Sequence, residues 1–412
     1  MPPTILFVTF VNPFVFSVAT SLRTHHLLKM LSKLTNVVCI AIIPKELHGT
    51  GDEMLARKVC EAYVEWELLP PRSLFSFLRF KPTETSSFFS SRYLDQFRNI
   101  IRQYNVDAIW LDYIFFADYF YAMRDITLPV IFGTHNVESD TFRDKSRLNR
   151  SMPGKLKYFV KWKLTRRLEK DLTRKARYFV TVSRPDLKYY SGLNPATTVF
   201  HLNSCINLDY YRDTPVERLT FTTRPVLLYT GLMKYEATYE AVLHFYHDIM
   251  PRLDRLLPTY TLYVVGKDPV QAILDLQGSK VVVTGFVEST LPYFRSADVF
   301  VVPLLNGTGT RLKILEAMAA GIPIVTTTKG CEGLDVVDHE HVLIADDPEQ
   351  FARHIVTLLH DGDLRNKLIT RARDLVRAKY DWRSLETPLR SLLAQVLGTA
   401  PLKSTTAREL TR

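Results

Sequence analysis

A stretch of 25 residues, VFVVPLLNGTGTRLKILEAMAAGIP (299–323), constrains the fold of this chain most strongly. Residues 300–304 are apolar and include the β-branched pair Val301 and Val302, which is typical of a fully buried parallel strand, and the turn residues 306–309 end it. Helix formers follow over 311–320, with Thr310 as the predicted N-cap and a Gly-Ile-Pro sequence as the stop signal. The pattern predicts a strand, a glycine turn and a helix.

This strand–turn–helix unit directs free backbone N–H groups and the positive end of a helix dipole to one point, which suits a phosphate. Gly309 and Thr310 lie at that point, and Arg311 and Lys313 add the positive charge that a diphosphate requires. Glu316 lies one to two turns into the helix. A carboxylate there repels phosphate but accepts hydrogen bonds from the vicinal hydroxyl groups of a ribose.

The sequence LEAMAAGIPIV, which contains Glu316, resembles the second half of the Glu-x7-Glu motif of the retaining family 4 glycosyltransferases. The resemblance runs over residues 1–396 and is strongest over 262–348. It implies an α/β protein of the GT-B fold, with two Rossmann-like parallel-sheet domains facing each other across a cleft. Glu316 then takes the role of the ribose-binding glutamate. Thr308 stands where the first glutamate is expected, as in the branch of the family that reads GTRLKILEAMA.

The length of 412 residues and a hydrophobic content of 46% predict two domains, each with its own core. We predict an acceptor-side domain over 1–213 and a nucleotide-sugar-binding domain over 214–380, divided before a polar segment. By resemblance, residues 381–396 form a helix that crosses back to the first domain. The remainder, 397–412, is predicted to be a disordered tail.

The periodicity of apolar residues predicts the main elements of both domains. Predicted strands cover 4–10, 37–43, 108–111, 130–133 and 179–182 in the first domain, and 225–230, 261–265, 281–284 and 324–327 in the second. A first helix is predicted over 22–33. The segment 44–89 has no clear period and is interpreted as a surface excursion or an acceptor-facing insertion.

The sequence THNVE (134–138) follows a predicted strand, at the edge where open α/β sheets place their sites. The imidazole of His135 suits hydrogen bonding to a sugar hydroxyl or proton transfer, but backbone groups at a strand end also satisfy histidines. The resemblance implies a catalytic role for His135 near the donor sugar. Glu138 is interpreted as a cap or partner of the next helix. Ala19-Thr20 is predicted to replace the glycine pair that resembling proteins carry between the first strand and helix.

Two glycines that end strands of the second domain are further candidates for donor binding. Relatives follow the glycine at Gly231 with an arginine for the diphosphate, and Leu232 occupies that position here. Lys234 is the nearest cation and is predicted to contact the phosphates together with Arg311 and Lys313. By resemblance, Gly285 contacts the nucleotide base, although a plain turn residue remains an alternative there.

Positive charge is concentrated in one segment. The chain carries a net charge of +10, whereas 143–177 alone contains 14 Lys and Arg against 3 Asp and Glu, a local balance of +11. Residues 155–177 are predicted to form an amphipathic basic helix whose apolar stripe consists of Leu156, Val160, Leu164, Leu168 and Leu172. Three interpretations compete: a solvated helix face, docking on an anionic membrane surface, and nucleic-acid binding. Nucleic acid is the least favoured, since no aromatic platform is recognisable nearby.

The distribution of cysteines and apolar runs bounds the location. Cys39, Cys60, Cys205 and Cys331 are far apart and lack metal-ligand spacing, which predicts free thiols in a reducing compartment. No apolar run approaches the roughly 20 residues that span a bilayer. We therefore predict a cytoplasmic protein, with peripheral attachment to a membrane left open.

The predicted function is transfer of a sugar from a UDP- or GDP-sugar to a glycan or lipid-linked acceptor with retention of configuration, as in polysaccharide biosynthesis. The sequence Asp361-Gly362-Asp363 imitates a metal-binding motif but lies between two helical stretches, so it is interpreted as a helix cap. No cofactor or metal is expected. A nucleotide-sugar epimerase of similar fold and a degenerate, non-catalytic binding protein remain as alternatives.

Overall fold

The computed structural model describes residues 2–15, 19–70, 81–123, 125–149, 151–307 and 311–398. They form two compact units, one within Met1–Ser204 and Trp382–Arg412, the other Cys205–Asp381. The division precedes the short segment 205–213, which the sequence analysis placed with the first domain. Each unit contains one parallel sheet with its own core.

The first unit is built on a seven-stranded sheet whose paired strands are all parallel, in the order β3-β2-β1-β4-β5-β6-β7. Its strands are Thr4–Thr9 (β1), Asn36–Ile43 (β2), Ala62–Glu67 (β3), Ala108–Leu111 (β4), Val130–Gly133 (β5), Tyr178–Thr181 (β6) and Thr198–His201 (β7). All six residues of β1 are buried, as expected for a strand covered on both faces. The five strands predicted for this domain are confirmed.

The segment 44–89, which the sequence left unassigned, contributes an edge strand and two helices. The strand β3 has the sequence AYVEWE and is only partly buried, so it lacks the continuous apolar run of the central strands. The helices of this part of the chain are Ala19–Leu31 (α1), Glu53–Val59 (α2), Thr83–Phe88 (α3), Ser91–Gln103 (α4), Ala117–Ala122 (α5), Glu138–Leu148 (α6), Met152–Lys175 (α7) and Arg184–Leu193 (α8), with 3-10 turns at Lys45–Leu47 and Ile114–Phe116.

The structure defines how two helices of the first unit begin. Ser183 is the N-cap of α8, because its hydroxyl accepts a hydrogen bond from the N–H of Asp186 over 3.2 Å. Ala19-Thr20 was predicted to lie in the turn before the first helix, and this is wrong. Both residues already belong to α1, because the helix begins three residues before the predicted start at 22.

The apolar stripe predicted on the basic helix is only half right. In α7 the buried residues are Thr165, Leu168, Glu169, Leu172 and Thr173, all in its second half. In the first half, Leu156 is 66% exposed. The first two turns of this helix therefore extend beyond the core that covers its later turns.

The second unit has a six-stranded sheet, again with parallel pairing, in the order β10-β9-β8-β11-β12-β13. Its strands are Val226–Thr230 (β8), Thr261–Val265 (β9), Val281–Gly285 (β10), Val299–Val302 (β11), Ile324–Thr326 (β12) and Leu343–Ile344 (β13). The chain reverses its direction of winding between β8 and β11, as it does between β1 and β4 in the first unit. Open α/β sheets bind ligands at such switch points, beyond the carboxyl ends of the strands.

The helices of the second unit are Leu208–Asp213 (α9), Glu236–His244 (α10), Met250–Leu256 (α11), Gln271–Leu274 (α12), Leu291–Ser296 (α13), Leu312–Ala320 (α14), Pro348–His360 (α15) and Gly362–Leu375 (α16), with π-helical turns at Phe245–Ile249 and Val376–Tyr380. The carboxylate of Asp361 accepts a hydrogen bond from the N–H of Leu364 over 2.8 Å. This confirms that Asp361 caps α16.

The helix α14 is the predicted helix of the stretch 299–323, and seven of its nine residues are buried. It ends at Ala320 and is followed by the C-cap Gly321, whose φ of +82° is the left-handed conformation that glycine adopts at helix ends. The predicted N-cap, Thr310, lies outside the described residues, and Arg311 occupies the N-cap position without a capping side-chain hydrogen bond.

The chain returns to the first unit at the 3-10 turn Trp382–Leu385, which is followed by Glu386–Leu397 (α17). Leu397 is the last residue of this helix, and the predicted tail beyond 398 lies outside the described residues. The indole of Trp382 stacks on His26 of α1 with ring centroids 6.1 Å apart. Two Rossmann-like parallel-sheet domains are thus present, which confirms the predicted fold class.

Candidate functional site

Lys313 lies at the switch point of the second sheet. Its ammonium group donates to the carbonyl oxygen of Thr230, the last residue of β8, over 2.7 Å. It also lies 3.3 Å from the hydroxyl of Tyr229 and 4.4 Å from the centroid of that ring. Burial and the neighbouring charge of Arg311 lower the pKa of Lys313 to about 7. Because the hydrogen bonds of this buried ammonium group go to neutral oxygens, those partners do not neutralise its charge, and the group can bind an anion.

Glu316 follows Lys313 by one helical turn, so both side chains lie on the same face of α14. One carboxylate oxygen accepts a hydrogen bond from the phenol of Tyr211, on α9, over 3.0 Å. Burial raises the pKa of Glu316, while the hydrogen bond from Tyr211 and the charge of Lys313 oppose that rise. Tyr211 is not predicted from the sequence, because nothing in the local pattern around α9 indicates a partner more than a hundred residues away.

Three glycines bring the ends of β8, β9 and β10 close together. The N–H of Gly231 donates to the carbonyl oxygen of Val265 over 3.0 Å, and the N–H of Gly266 donates to the carbonyl oxygen of Gly285 over 3.1 Å. A Cβ at Gly266 would lie 1.7 Å from the carbonyl oxygen of Gly231, so only glycine fits there. A Cβ at Gly231 would lie 3.0 Å from the ammonium nitrogen of Lys313. A side chain at Gly231 would therefore crowd the ammonium group of Lys313.

Gly285 has a φ of +68°, which favours glycine, and the space where its Cβ would stand is open. This position satisfies the steric requirement for close approach of a ligand to the backbone. The predicted role of Gly285 in contacting a nucleotide base stays a prediction.

Arg311 supports the loops around the start of α14. Its guanidinium donates to the carbonyl oxygens of Gly307 over 2.9 Å and of Lys329 over 3.3 Å, and it lies 3.9 Å from a carboxylate oxygen of Glu332. The side chain is 7% exposed. Arg311 therefore stabilises this turn through buried hydrogen bonds to its backbone. Its predicted contact with phosphate stays a prediction.

Gly309 and Thr310, which were predicted to lie at the helix start, are outside the described residues. The turn before them is held by Asn306, whose side-chain amide donates to a carboxylate oxygen of Glu240 over 2.5 Å. Glu240 lies on α10, the helix that follows β8. The two sides of the switch point are thereby joined next to Lys313.

Lys234 is separate from this group. Its ammonium forms an ion pair with Asp268 over 2.8 Å, and both side chains are exposed. The pair links the turn after β8 to the turn after β9. Lys234 must exchange Asp268 for a ligand if it is to neutralise a phosphate.

In the first unit, His135 forms a pair with Asp112 at the carboxyl ends of adjacent strands. Asp112 directly follows β4, and His135 follows β5. The Nε2 atom of His135 lies 3.1 Å from a carboxylate oxygen of Asp112 and 3.0 Å from the backbone carbonyl oxygen of the same residue. Since both partners are acceptors, Nε2 carries a proton, which leaves Nδ1 as the ring nitrogen that can accept a hydrogen bond.

Asp112, which was not predicted from the sequence, is fully buried. Its surroundings are polar: the Thr24 hydroxyl donates to it over 3.4 Å, and the Arg23 guanidinium lies 3.8 Å away. Gly133 provides the necessary room, since a Cβ there would stand 2.4 Å from the Asp112 carboxylate. The position of Asp112, directly after a buried strand, is the same signal that identified His135.

Glu138 was interpreted as a cap or partner of the next helix, but it is the first residue of α6, and Val137 occupies the N-cap position. Glu138 lies near Glu169 of α7, which accepts hydrogen bonds from the backbone N–H of Ser139 over 3.1 Å and the phenol of Tyr189 over 2.7 Å. Burial, together with the charge of Glu169, raises the pKa of Glu138 to about 8. Two buried carboxyl groups therefore support the loop that carries His135.

Among the described residues, no group of three or more His, Cys, Asp or Glu side chains is placed to hold a metal ion. The described helices include none with the length and apolar character needed to cross a bilayer.

Fold and site together define a two-domain Rossmann-like protein with a polar group at each switch point: Lys313 with Glu316 in the second unit, and His135 with Asp112 in the first. Residues 224–361 match the family described as "Glycosyl transferases group 1". This match lies within the second unit and includes Lys313 and Glu316.

Two curated relatives illustrate the similarity in sequence. The chain is 27% identical over 179 residues to the sulfoquinovosyl transferase SQD2 of Arabidopsis thaliana, covering 41% of this chain and 33% of that protein. It is 28% identical over 142 residues to a phosphatidyl-myo-inositol mannosyltransferase of Mycobacterium leprae, covering 33% and 38%. The matches span between 21% and 50% of the length of the curated relatives.

Solved structures match nearly the whole chain. The sucrose-phosphate synthase of Thermosynechococcus elongatus superposes with a TM-score of 0.69 at 17% identity, covering 96% of this chain and 99% of the other. HepE of Anabaena, solved in complex with UDP, superposes with a TM-score of 0.65 at 13% identity, covering 95% of this chain and 100% of the other. At these identities the likeness shows the fold.

Proposed function

We propose that this protein is a glycosyltransferase that moves a sugar from a nucleotide-diphosphate sugar to a glycan or lipid-linked acceptor. The observation that carries the proposal is the pairing of Lys313 and Glu316, one turn apart on α14 at the switch point of the second sheet. The cation suits a diphosphate and the carboxylate suits the two hydroxyl groups of a ribose. The family match over 224–361 supports this function.

The donor binds to the second unit in this proposal. Its diphosphate contacts Lys313, with Arg311, Lys234 and the backbone of Gly309 and Thr310 as further candidates. UDP is favoured over GDP as the nucleotide, since HepE of Anabaena has also been solved with UDP-glucose. Side-chain cations and backbone N–H groups stabilise the charge of the leaving diphosphate, so the proposal includes no metal cofactor.

The acceptor binds to the first unit, where His135 offers Nδ1 to a substrate hydroxyl while Asp112 holds Nε2. Retention of configuration is part of the proposal, through a front-face reaction in which the leaving diphosphate takes the proton of the acceptor hydroxyl. In this proposal the reaction takes place in the cytoplasm and is a step of polysaccharide biosynthesis. In support of a reducing compartment, all four cysteines are buried, free thiols.

A thermal-shift screen over UDP- and GDP-sugars tests the donor site. A ligand at 100 times its Kd stabilises the folded state by about 2.7 kcal/mol, which raises Tm by several degrees. We expect one donor to raise Tm in the wild type and in Glu349→Ala, a control on the outer helix α15, but not in Glu316→Ala. Equal shifts in all three proteins would overturn the assignment of Glu316.

Turnover of the identified donor then separates the alternatives. A transferase releases the nucleoside diphosphate only when an acceptor is present, and NMR of the product shows whether the configuration is retained. An isomerised sugar nucleotide formed without acceptor would identify an epimerase instead. Failure to bind any nucleotide would identify a non-catalytic protein.

A further inference from the structure

The first half of α7 exposes apolar side chains to solvent. Met152 is 74% exposed, Leu156 66% and Phe159 44%. Their spacing of four and then three residues places them on one face of the helix. Three neighbouring exposed apolar residues of this size form a patch, in contrast to the single exposed residues that are normal on protein surfaces.

The same face becomes cationic further along the helix. Continuing the spacing from Phe159 leads to Lys163, Arg166, Lys170 and Arg174, all exposed. The two acidic residues of α7 are withdrawn from it: Glu169 is buried, and Asp171 is half-buried and paired with Lys175 over 2.8 Å. The outer face of α7 thus consists of an apolar end followed by a cationic row.

The packing of the helix fixes this face outward. Leu168, Leu172 and the bonded carboxylate of Glu169 lie in the core of the first unit, so α7 cannot rotate to bury Met152 without exposing them. Close to the apolar end, Trp162 packs edge-to-face on Phe159 with centroids 5.5 Å apart, and the ammonium of Lys163 lies 4.4 Å from the centroid of the indole ring. Tryptophan beside lysine is a combination suited to the boundary between lipid and water.

We propose that the outer face of α7 docks on a bilayer rich in anionic lipid, with Met152, Leu156 and Phe159 inserted among the headgroups and the cationic row lying on the surface. Charge complementarity and apolar insertion are the two components of interfacial helix binding, and both are present here. Lys155 and Lys157, exposed on either side of Leu156, contribute to the attraction. A nucleic acid would bind the cationic side chains through its phosphates but would offer no apolar partner to the exposed aliphatic residues.

Vesicle co-sedimentation tests the proposal on the full chain, with and without one-quarter phosphatidylglycerol in phosphatidylcholine. We expect binding to the anionic vesicles that weakens with salt. Met152→Ser/Leu156→Ser/Phe159→Ser should reduce the partition coefficient at least tenfold, because the inserted surface is lost. The matched control Leu47→Ser/Met54→Ser replaces residues that are 42% and 72% exposed elsewhere in the first unit and should bind like the wild type.

Lys155→Gln/Lys170→Gln tests the charge. Each cationic residue contributes on the order of fivefold in affinity near such a surface, so this variant should bind about 25-fold more weakly. Because all the replaced residues are exposed, the variants should keep the Tm of the wild type.

Two results would overturn the proposal: wild-type binding by the triple-serine variant, or absence of binding to anionic vesicles by the wild type. In the second case, self-association or RNA binding that is present in the wild type and lost in the triple-serine variant would assign this face to a protein or RNA partner instead. The proposal is independent of the donor site. The triple-serine variant should keep the nucleotide-induced thermal shift, so failure of one proposal leaves the other standing.

Discussion

The phenol of Tyr211 donates a hydrogen bond over 3.0 Å to a carboxylate oxygen of Glu316, 105 positions later in the chain. This bond fixes one oxygen of the carboxylate and leaves the second to bind a ligand. Burial of Tyr211, together with the charge of Glu316 and the hydrogen bond to it, raises the pKa of the phenol, so Tyr211 remains a donor across the neutral range. Tyr211 is therefore a positioning residue for Glu316.

Tyr211→Phe should weaken donor binding about tenfold, because a hydrogen bond to a charged group contributes about 1.5–3 kcal/mol and its loss frees the carboxylate to move. Titration calorimetry with the donor identified in the thermal-shift screen measures the effect. Tyr210→Phe is the matched control, since this neighbour on α9 is 41% exposed and bonds only weakly, over 3.3 Å, to Ser289. Equal losses in both variants would contradict a positioning role.

The difference between Tyr211 and Glu316 shows how far the sequence predicts this site. Continuous apolar runs followed by glycine predicted the central strands and α14, because burial on both faces leaves a local signal. The strand β3 was missed because an edge strand needs no such run. Glu316 was found through a motif confined to one helix. Tyr211 and Asp112 act through partners that only the fold brings near, although the position of Asp112 directly after β4 was a usable signal.

Donor binding should depend on pH through Lys313. Burial lowers its pKa to about 7 in the free protein. A bound diphosphate favours the charged form, so affinity is highest below pH 7 and falls as pH rises towards the higher pKa of the complex, by up to about tenfold per pH unit. UDP-glucose is the suitable probe, since its diphosphate has no ionisation near neutrality.

Calorimetric titrations at pH 6.5 and 8.5 should show at least a tenfold loss of affinity. Lys313→Arg should flatten the profile, because arginine stays charged over this range. Lys313→Met should bind weakly at both values. A wild-type slope that persists in Lys313→Met would assign the titration to another group.

Replacement of Gly266 should destabilise the protein far more than replacement of Gly285. In Gly266→Ala the new Cβ meets the carbonyl oxygen of Gly231 at 1.7 Å, so the ends of β8 and β9 must separate. We expect a loss of about 3 kcal/mol in the free energy of unfolding. In Gly285→Ala the new Cβ has no atom within 4 Å, so only the φ of +68° is unfavourable, and we expect a loss of about 1 kcal/mol in the free energy of unfolding. Scanning calorimetry of both variants checks the order, and a larger loss in Gly285→Ala would contradict it.

Asp112→Asn should impair transfer while leaving nucleotide binding in the second unit unchanged. The carboxylate of Asp112 and its own backbone carbonyl hold the proton on Nε2 of His135, so that Nδ1 accepts from the substrate. An asparagine can present its amide N–H to Nε2 instead, which moves the ring proton to Nδ1. That tautomer offers a substrate hydroxyl a donor in place of an acceptor, and we expect kcat to fall by about 10- to 100-fold.

Nitrogen NMR of labelled histidine distinguishes this mechanism from a general loss of structure, because the two tautomers give different Nδ1 and Nε2 shifts. If Asp112 acts through the ring, Asp112→Asn should add little to the loss already caused by His135→Ala, since the two side chains then contribute to a single interaction. Additive losses of activity, or an unchanged Nε2-protonated ring in Asp112→Asn, would show that the carboxylate serves the fold of β4 and not the chemistry of His135.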